Sequence, residues 1–167
     1  MLHHVSVGVA DVPRAATFYD AVLGALGYKR VVEYMPYALA YGVTGPTFWV
    51  GLPHDQQAPT VGNGTHVGFS ARSKGAVDKF YEAALAHGGV DNGAPGPRAD
   101  YGPEYYGAFV IDLDGNRIEA TLVREVAAPK TAKAAKAKSK TKKTKKPARK
   151  TAKKPAKKKA KRKARRK

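Results

Sequence analysis

Two stretches of the chain alternate apolar and polar residues and then change to helical spacing. In the first, residues 5–9 place valines at every second position, which predicts a strand with one buried face. Residues 15–26 then carry apolar side chains at three- and four-residue spacing, which predicts an amphipathic helix. Asp11 before this helix is a favourable N-cap, and Gly27 after it can end the helix.

The same pattern occurs again 62 residues later. Residues 66–89 align without a gap with residues 4–27, so that His66 matches His4 and Gly89 matches Gly27. An internal duplication explains this match, and it predicts two modules with the same order of elements.

Each module continues with further strand signals after its helix. The predicted strands are residues 29–34, 37–41 and 47–52 in the first module, and 106–113 and 117–123 in the second. Residues 53–64 predict a polar linker, and the Gly/Pro-rich residues 91–104 an irregular excursion. We therefore predict an α+β fold in which two βαβββ modules in tandem form a curved mixed sheet around a shared cup.

The composition changes abruptly at Pro129. Residues 130–167 contain 18 Lys and 4 Arg and no acidic, aromatic or large aliphatic residue. The whole chain has a formal charge of +18, so the first 129 residues carry −4. We predict a folded domain at residues 1–128, with modules at about 1–53 and 65–125, and a disordered Lys/Ala/Pro-rich tail at 129–167.

Several classes of protein are disfavoured by composition. The chain has no cysteine, which excludes disulfides and thiol chemistry. It shows neither a signal-peptide pattern at its start nor an apolar run long enough to cross a bilayer. The expected location is therefore the cytoplasm.

Side-chain parity brings three polar residues to one side of the fold. The strand valines must face the helix, so His4 and His66 point to the opposite face of the sheet. In residues 117–123 the aliphatic positions alternate with Glu119, which then projects to that same helix-free face. Either histidine could be structural, but the duplication favours a shared role.

Two imidazoles and one carboxylate form a facial set of metal ligands with open positions for water or substrate. Such donors suit Fe, Mn, Ni or Zn, and donor type does not choose among these divalent ions. A bound ion would act as a Lewis acid or lower the pKa of a coordinated water.

The motifs HHVSVGVADVPRAATFYDAVLGALGY, HVGF and GAFVIDLDGNRIEA are similar to those of the vicinal oxygen chelate superfamily of glyoxalases, bleomycin-resistance proteins and extradiol dioxygenases. The resemblance covers residues 2–125. It implies metal ligation by His4, His66 and Glu119, with Glu119 also the candidate catalytic residue. The implied activity is that of a metal-dependent lyase, isomerase or dioxygenase acting on a small oxygenated substrate.

The resemblance is incomplete at the position of a fourth ligand. Aligning the turn at residues 44–46 with the turn at 114–116 places Trp49 where the first module would carry a carboxylate. A three-ligand site remains open, and so does a metal-free cup that sequesters a small molecule, as in bleomycin-resistance proteins. The cup could form within one chain or between two chains of a homodimer.

Aromatic residues and one arginine are candidates to line the pocket. About half of the aromatic residues are expected to belong to the core instead, and the arginine, in the Gly/Pro-rich excursion, could meet an anionic substrate. The predicted substrate-binding residues are Phe48, Trp49, Tyr101, Tyr106 and Arg98.

The tail composition resembles linker-histone C-terminal tails and predicts non-specific binding to DNA or RNA through phosphate contacts. Without large apolar residues it predicts no membrane insertion. A solubilising tail without a fixed partner is the alternative. The predicted contacts, which would make the protein nucleoid-associated, are Lys142, Lys143, Lys145, Lys146, Arg149, Lys150, Lys157, Lys158, Lys159, Arg162, Arg165 and Arg166.

Overall fold

A computed structural model of the protein describes residues 2–122, so the predicted end of the second module and the basic tail lie outside the described residues. The first module consists of β1 (Val5–Gly8), α1 (Val12–Leu26), β2 (Lys29–Tyr34), β3 (Ala38–Gly42) and β4 (Phe48–Gly51). The second consists of β5 (Val67–Ser70), α2 (Lys74–Ala86), β6 (Val90–Pro97), β7 (Tyr106–Ile111) and β8 (Arg117–Leu122), with a 3₁₀ turn at Ala99–Tyr101. The predicted α+β fold of two βαβββ modules is confirmed.

The strands form two four-stranded mixed sheets, one from each module. Their orders are β1-β4-β3-β2 and β5-β8-β7-β6. The first strand of each module along the chain pairs in parallel with the last strand of that module, β1 with β4 and β5 with β8. Ser6 pairs with Trp49 in the first sheet, and Gly68 pairs with Glu119 in the second. Since positions 6 and 68 match in the repeat, the register places Trp49 and Glu119 at equivalent positions.

Strand β6 corrects the sequence prediction of an irregular excursion at residues 91–104. Its residues VDNGAPGP show no apolar alternation, yet they pair with β7 from Val90 to Pro97. The ladder is irregular on both sides of Gly93, which has φ 146°, a conformation that favours glycine. The backbone pairing with β7, rather than side-chain pattern, holds this edge strand in place.

Both helices begin at an N-cap side chain, which is the predicted Asp11 in α1 and Ser73 in α2. The Asp11 carboxylate accepts a hydrogen bond from the Arg14 amide at 2.7 Å, and the Ser73 hydroxyl accepts one from the Ala76 amide at 3.2 Å. Gly27 ends α1 in the left-handed conformation with φ 87°. Neither helix of the described part is long and apolar enough to cross a membrane.

The helix sides of the two sheets share one hydrophobic core. The rings of Phe48 in β4 and Phe69 in β5 pack edge to face with centroids 4.9 Å apart. Phe48 is 2% exposed, so its prediction as a substrate-binding residue is wrong: its parity is opposite to that of its neighbour Trp49. Because the core uses the helix sides, the helix-free faces point away from it.

A buried carboxylate joins the two modules. Asp112, only 4% exposed, accepts a hydrogen bond from the hydroxyl of the fully buried Tyr19 at 2.7 Å. It also accepts bonds from the Asn116 amide at 2.6 Å and from the Asn116 side chain, which in turn donates to the Gly8 carbonyl. Burial, together with Asp112, raises the pKa of Tyr19 well above its ordinary value.

Tyr19→Phe is expected to destabilise the fold by about 1–3 kcal/mol at pH 7, because one buried carboxylate oxygen loses a donor. In the wild type the free energy of unfolding should also fall as the pH rises above about 10, where the unfolded tyrosine releases its proton and the folded Tyr19 retains it. The variant should lose less stability over that range. Urea denaturation at pH 7 and above pH 10 measures the free energy of unfolding. The control is Tyr37→Phe, at an exposed position. Equal stabilities of the two variants would contradict it.

Candidate functional site

The helix-free face of the second sheet brings together two of the three predicted ligands. Ile118 and Ala120 of β8 lie in the core, so Glu119 between them points to the other face, beside Gly68 of β5. His66, directly before β5, shares the parity of Gly68, and its Nε2 lies 3.4 Å from Oε2 of Glu119. The Glu119 side chain is 4% exposed and that of His66 54%, so the carboxylate is fixed and the imidazole meets solvent.

Tyr105, which is not among the predicted substrate-binding residues, is a member of this site. Its hydroxyl donates a short hydrogen bond to Oε1 of Glu119. Burial and the neighbouring Glu119 raise the pKa of Tyr105 above its ordinary value, so the hydroxyl keeps its proton at neutral pH and remains a donor. Positions 105, 107 and 109 share one parity, and the same alternation argument that selected Glu119 could have identified Tyr105.

Tyr106, which was predicted to bind substrate, lies on the opposite side. Its hydroxyl donates to the Asp78 carboxylate of α2 at 2.9 Å, and the Lys74 ammonium lies 5.1 Å from its ring centroid. Tyr106 therefore packs against the helix, and its assignment is corrected. The reason is parity, since Tyr106 alternates with Gly107 along β7.

Glycines make room for the polar groups on this face. A Cβ atom at Gly107 would lie 3.1 Å from Oε1 of Glu119 and 3.1 Å from the Tyr105 ring. A Cβ at Gly68 would lie 3.6 Å from Oε2 of Glu119. The carboxylate thus lies over backbone without side chains, and a Cβ at Gly107 would crowd it, whereas one at Gly68 would make ordinary van der Waals contact.

The two other predicted residues of the second module, Arg98 and Tyr101, contact neighbours of this pair. Phe109 is directly opposite Glu119 in the ladder, and the Arg98 guanidinium lies 5.5 Å from the Phe109 ring centroid. The ring of Tyr101, which is 65% exposed, packs on Tyr105 with centroids 5.2 Å apart. A cleft of about 350 Å³ is lined by His66, Tyr101, Phe109 and Arg117, among others.

His4 lies on the helix-free face of the first sheet. It lines a cleft of about 510 Å³ together with Ser6, Trp49 and His54. Nδ1 of His4 is 2.8 Å from Nδ1 of His3, which leaves Nε2 of His4 for another partner. Trp49 stacks on Tyr34 with centroids 6.3 Å apart, so aromatic surface covers the place that Glu119 occupies in the second sheet.

Comparison with known families gives a match over most of the chain. Residues 1–120 match the model of the Glyoxalase/Bleomycin resistance protein/Dioxygenase superfamily. The chain belongs to this superfamily. The match includes His4, His66 and Glu119, so all three candidate ligands lie within the superfamily domain.

Solved structures of superfamily proteins support the assignment. A glyoxalase/bleomycin resistance protein from Albidiferax ferrireducens T118 is 36% identical, with a TM-score of 0.66 over 73% of this chain and 98% of that one. A putative glyoxalase from Bacillus halodurans is 25% identical, with a TM-score of 0.57 over 74% and 96%. The fosfomycin resistance protein FosX from Listeria monocytogenes, 17% identical with a TM-score of 0.55 over 75% and 94%, shares the fold. No curated protein matches the chain significantly.

The donors of the second sheet fit two positions of the metal site that the superfamily resemblance implies. Two ligand atoms about 2.1 Å from one ion, at a tetrahedral angle, are about 3.4 Å apart, and the distance between His66 Nε2 and Glu119 Oε2 is 3.4 Å. Within residues 2–122, however, no three His, Cys, Asp or Glu side chains are close enough to hold one ion. In the described part of one chain, His66 and Glu119 are therefore a pair of candidate ligands without a third, and His4 is not adjacent to them.

Proposed function

We propose that this chain is a metal-dependent enzyme of the glyoxalase or dioxygenase type that binds a small oxygenated molecule on its helix-free faces. The observation that carries the proposal is the pair formed by His66 and Glu119. Its nitrogen and oxygen atoms are as far apart as two ligands of one metal ion. The pair is supported from behind by the Tyr105 hydroxyl, in the way that hydrogen bonds orient metal ligands in proteins.

The third ligand in this proposal is His4 of a second copy of the chain. The helix sides of both sheets already pack in a single core, so the helix-free faces are the surfaces that remain to meet one another. The face of the first sheet carries exposed aromatic surface, with Tyr34 63% exposed and stacked on Trp49. A homodimer that joins this face to the second sheet of the partner would bury that surface and bring His4 to the pair.

Two residues of the site would bind the metal ion, and a third orients one of these two ligands. Fe, Mn, Ni or Zn suits these donors, and such an ion when bound supplies Lewis acidity toward substrate oxygens. Glu119 holds one oxygen toward His66 and the other toward Tyr105. Tyr105 keeps the proton on its hydroxyl and donates it to Glu119, which holds the carboxylate in place. The proposed activity is that of a lyase, an isomerase or a dioxygenase.

A metal-free cup that sequesters a small molecule is the second candidate. The observation in its favour is Trp49, which occupies the position equivalent to Glu119 and offers an aromatic surface instead of a ligand. Small-molecule binding that survives exhaustive chelation would favour this candidate, and binding that requires metal would exclude it. Titration of the metal-depleted full chain with Mn²⁺ or Zn²⁺ tests the first proposal directly.

The basic tail adds a separate proposed function, non-specific association with DNA or RNA. Its 22 positive charges in residues 130–167 contrast with the −4 of the preceding residues. Neutralising phosphates releases condensed counterions, and this supplies affinity without reading sequence. The protein would then reside in the cytoplasm in association with the nucleoid.

A further inference from the structure

Arg98 holds a positive charge over the helix-free face of the second sheet. Its guanidinium donates to the Ala94 carbonyl at 2.8 Å and to the Pro97 carbonyl at 3.2 Å. The group lies 5.5 Å from the centroid of the Phe109 ring, a cation–π distance. These contacts fix the guanidinium on the same face as Glu119, because Phe109 and Glu119 are directly opposite in the ladder.

The contacts of Arg98 leave most of its binding capacity unused. A guanidinium has five N–H donors, and the two carbonyl contacts occupy two of them. Both acceptors are neutral, so the positive charge is not compensated by them. Arg14 and Arg30, by contrast, are paired with the carboxylates of Asp114 and Asp20.

The edge strand is shaped to accommodate this guanidinium. A Cβ at Gly96 would lie 3.0 Å from Nη1 of Arg98, and a Cβ at Gly93 would lie 3.5 Å from Nη2. Gly96 pairs with Gly107, whose own Cβ position adjoins Glu119. Gly107 lies under the Tyr105 ring and Glu119, and Phe109 lies between Arg98 and Glu119, so the floor between the two charged groups is aromatic.

We propose that Arg98 binds the anionic group of the substrate, while a metal ion held by the His66–Glu119 pair would bind its other, oxygen-rich end. Strands β6 and β8 are separated by two strand spacings of about 4.8 Å each, so the two ends of the site are roughly 10 Å apart across the sheet. The substrate is then a small molecule with a carboxylate, phosphonate or phosphate group several bonds from its vicinal oxygens. This inference rests on the proposed function, whose site it extends.

A set of three probes that differ only in one group tests this inference. They are 3,4-dihydroxybenzoate, 3,4-dihydroxybenzamide and 3,4-dihydroxyphenylphosphonate, which share the vicinal oxygens and differ in charge at the far end. Calorimetric titration of the full chain without oxygen gives the dissociation constant of each. We expect the carboxylate or the phosphonate to bind about tenfold or more tightly than the amide, in the range of a charge-assisted hydrogen bond. The preferred anion identifies the class of acid.

Three variants assign the preference to Arg98. Arg98→Gln should reduce the ratio of anion to amide affinity to about unity while leaving the amide affinity unchanged. Gly96→Ala should reduce it as well, because its new methyl group displaces only the end of a flexible side chain. Lys79→Gln removes one charge from the exposed side of α2 and serves as the matched control, with the wild-type ratio expected.

The inference is overturned if the wild type shows no preference for an anion, including the case in which no probe binds. It is also overturned if Arg98→Gln keeps the preference, or if Arg117→Gln, in the cleft that His66 also lines, removes it in place of Arg98→Gln. Each titration is repeated with Mn²⁺ and after chelation. If the metal proposal fails, each probe has the same dissociation constant with Mn²⁺ and after chelation. If this inference fails, only the ratio of anion affinity to amide affinity departs from its expected value.

Discussion

Glu119→Gln is expected to weaken binding of a divalent metal ion by a factor of about 100 or more. Loss of a residue that merely orients a ligand costs about 10- to 100-fold in metal affinity, so loss of a ligand should cost at least the upper value. The substitution replaces a carboxylate by a neutral amide of the same shape, and the amide oxygen can still accept the hydrogen bond from Tyr105. The fold should therefore persist while the metal affinity falls.

Titration of the metal-depleted full chain with Mn²⁺ or Zn²⁺ measures this effect. The wild type should bind one ion per chain, and His66→Ala should resemble Glu119→Gln. The control is Glu82→Gln, the same chemical change at an exposed position on α2, which should bind like the wild type. Thermal unfolding of each variant separates loss of a ligand from loss of the fold. Wild-type metal affinity in Glu119→Gln would remove the basis of the proposed function.

Truncation after Pro129 is expected to abolish retention of the protein on duplex DNA. The full chain carries +18, and the truncated one −4, which repels phosphates. The affinity of the full chain should fall with salt on a log–log slope of about −5 to −15, as several to many lysines and arginines contact phosphates. Fluorescence anisotropy with a labelled duplex at a series of salt concentrations gives this slope.

A chain whose residues 130–167 are shuffled, with composition unchanged, is the control for the tail. Counterion release depends on the number of charges and not on their order, so the shuffled tail should bind like the natural one. Retention of the truncated chain at low salt would refute the assignment. A large loss on shuffling would instead show that the tail reads a specific feature of its partner.

The parts of the fold that sequence predicted are those with a repeated pattern. Alternation in residues 5–9 and the match of His66 to His4 predicted both modules, and the alternation around Glu119 predicted its place beside His66. The equivalence of Trp49 and Glu119, inferred from aligned turns, is confirmed by the pairing of Ser6 with Trp49 and of Gly68 with Glu119.

The parts that sequence could not predict depend on contacts rather than on pattern. Strand β6 contains two glycines and two prolines and is held by pairing with β7, which no local preference indicates. Tyr106 was predicted in place of Tyr105 because the sequence does not fix where β7 starts. A shift of one residue moves every side chain of a strand to the other face of the sheet. Arg98 owes its position to two carbonyl contacts and an aromatic ring.

The central claim is that one site combines His66 and Glu119 of one chain with His4 of another. Mixed dimers of two variants that each lack one of these ligands test it most directly. His4→Ala and Glu119→Gln each damage both sites of a homodimer. In a mixed dimer one site carries both substitutions, and the other carries neither. Metal titration of purified mixed dimers should therefore recover one high-affinity ion per two chains. Mixed dimers that bind metal no better than either variant alone would contradict the account.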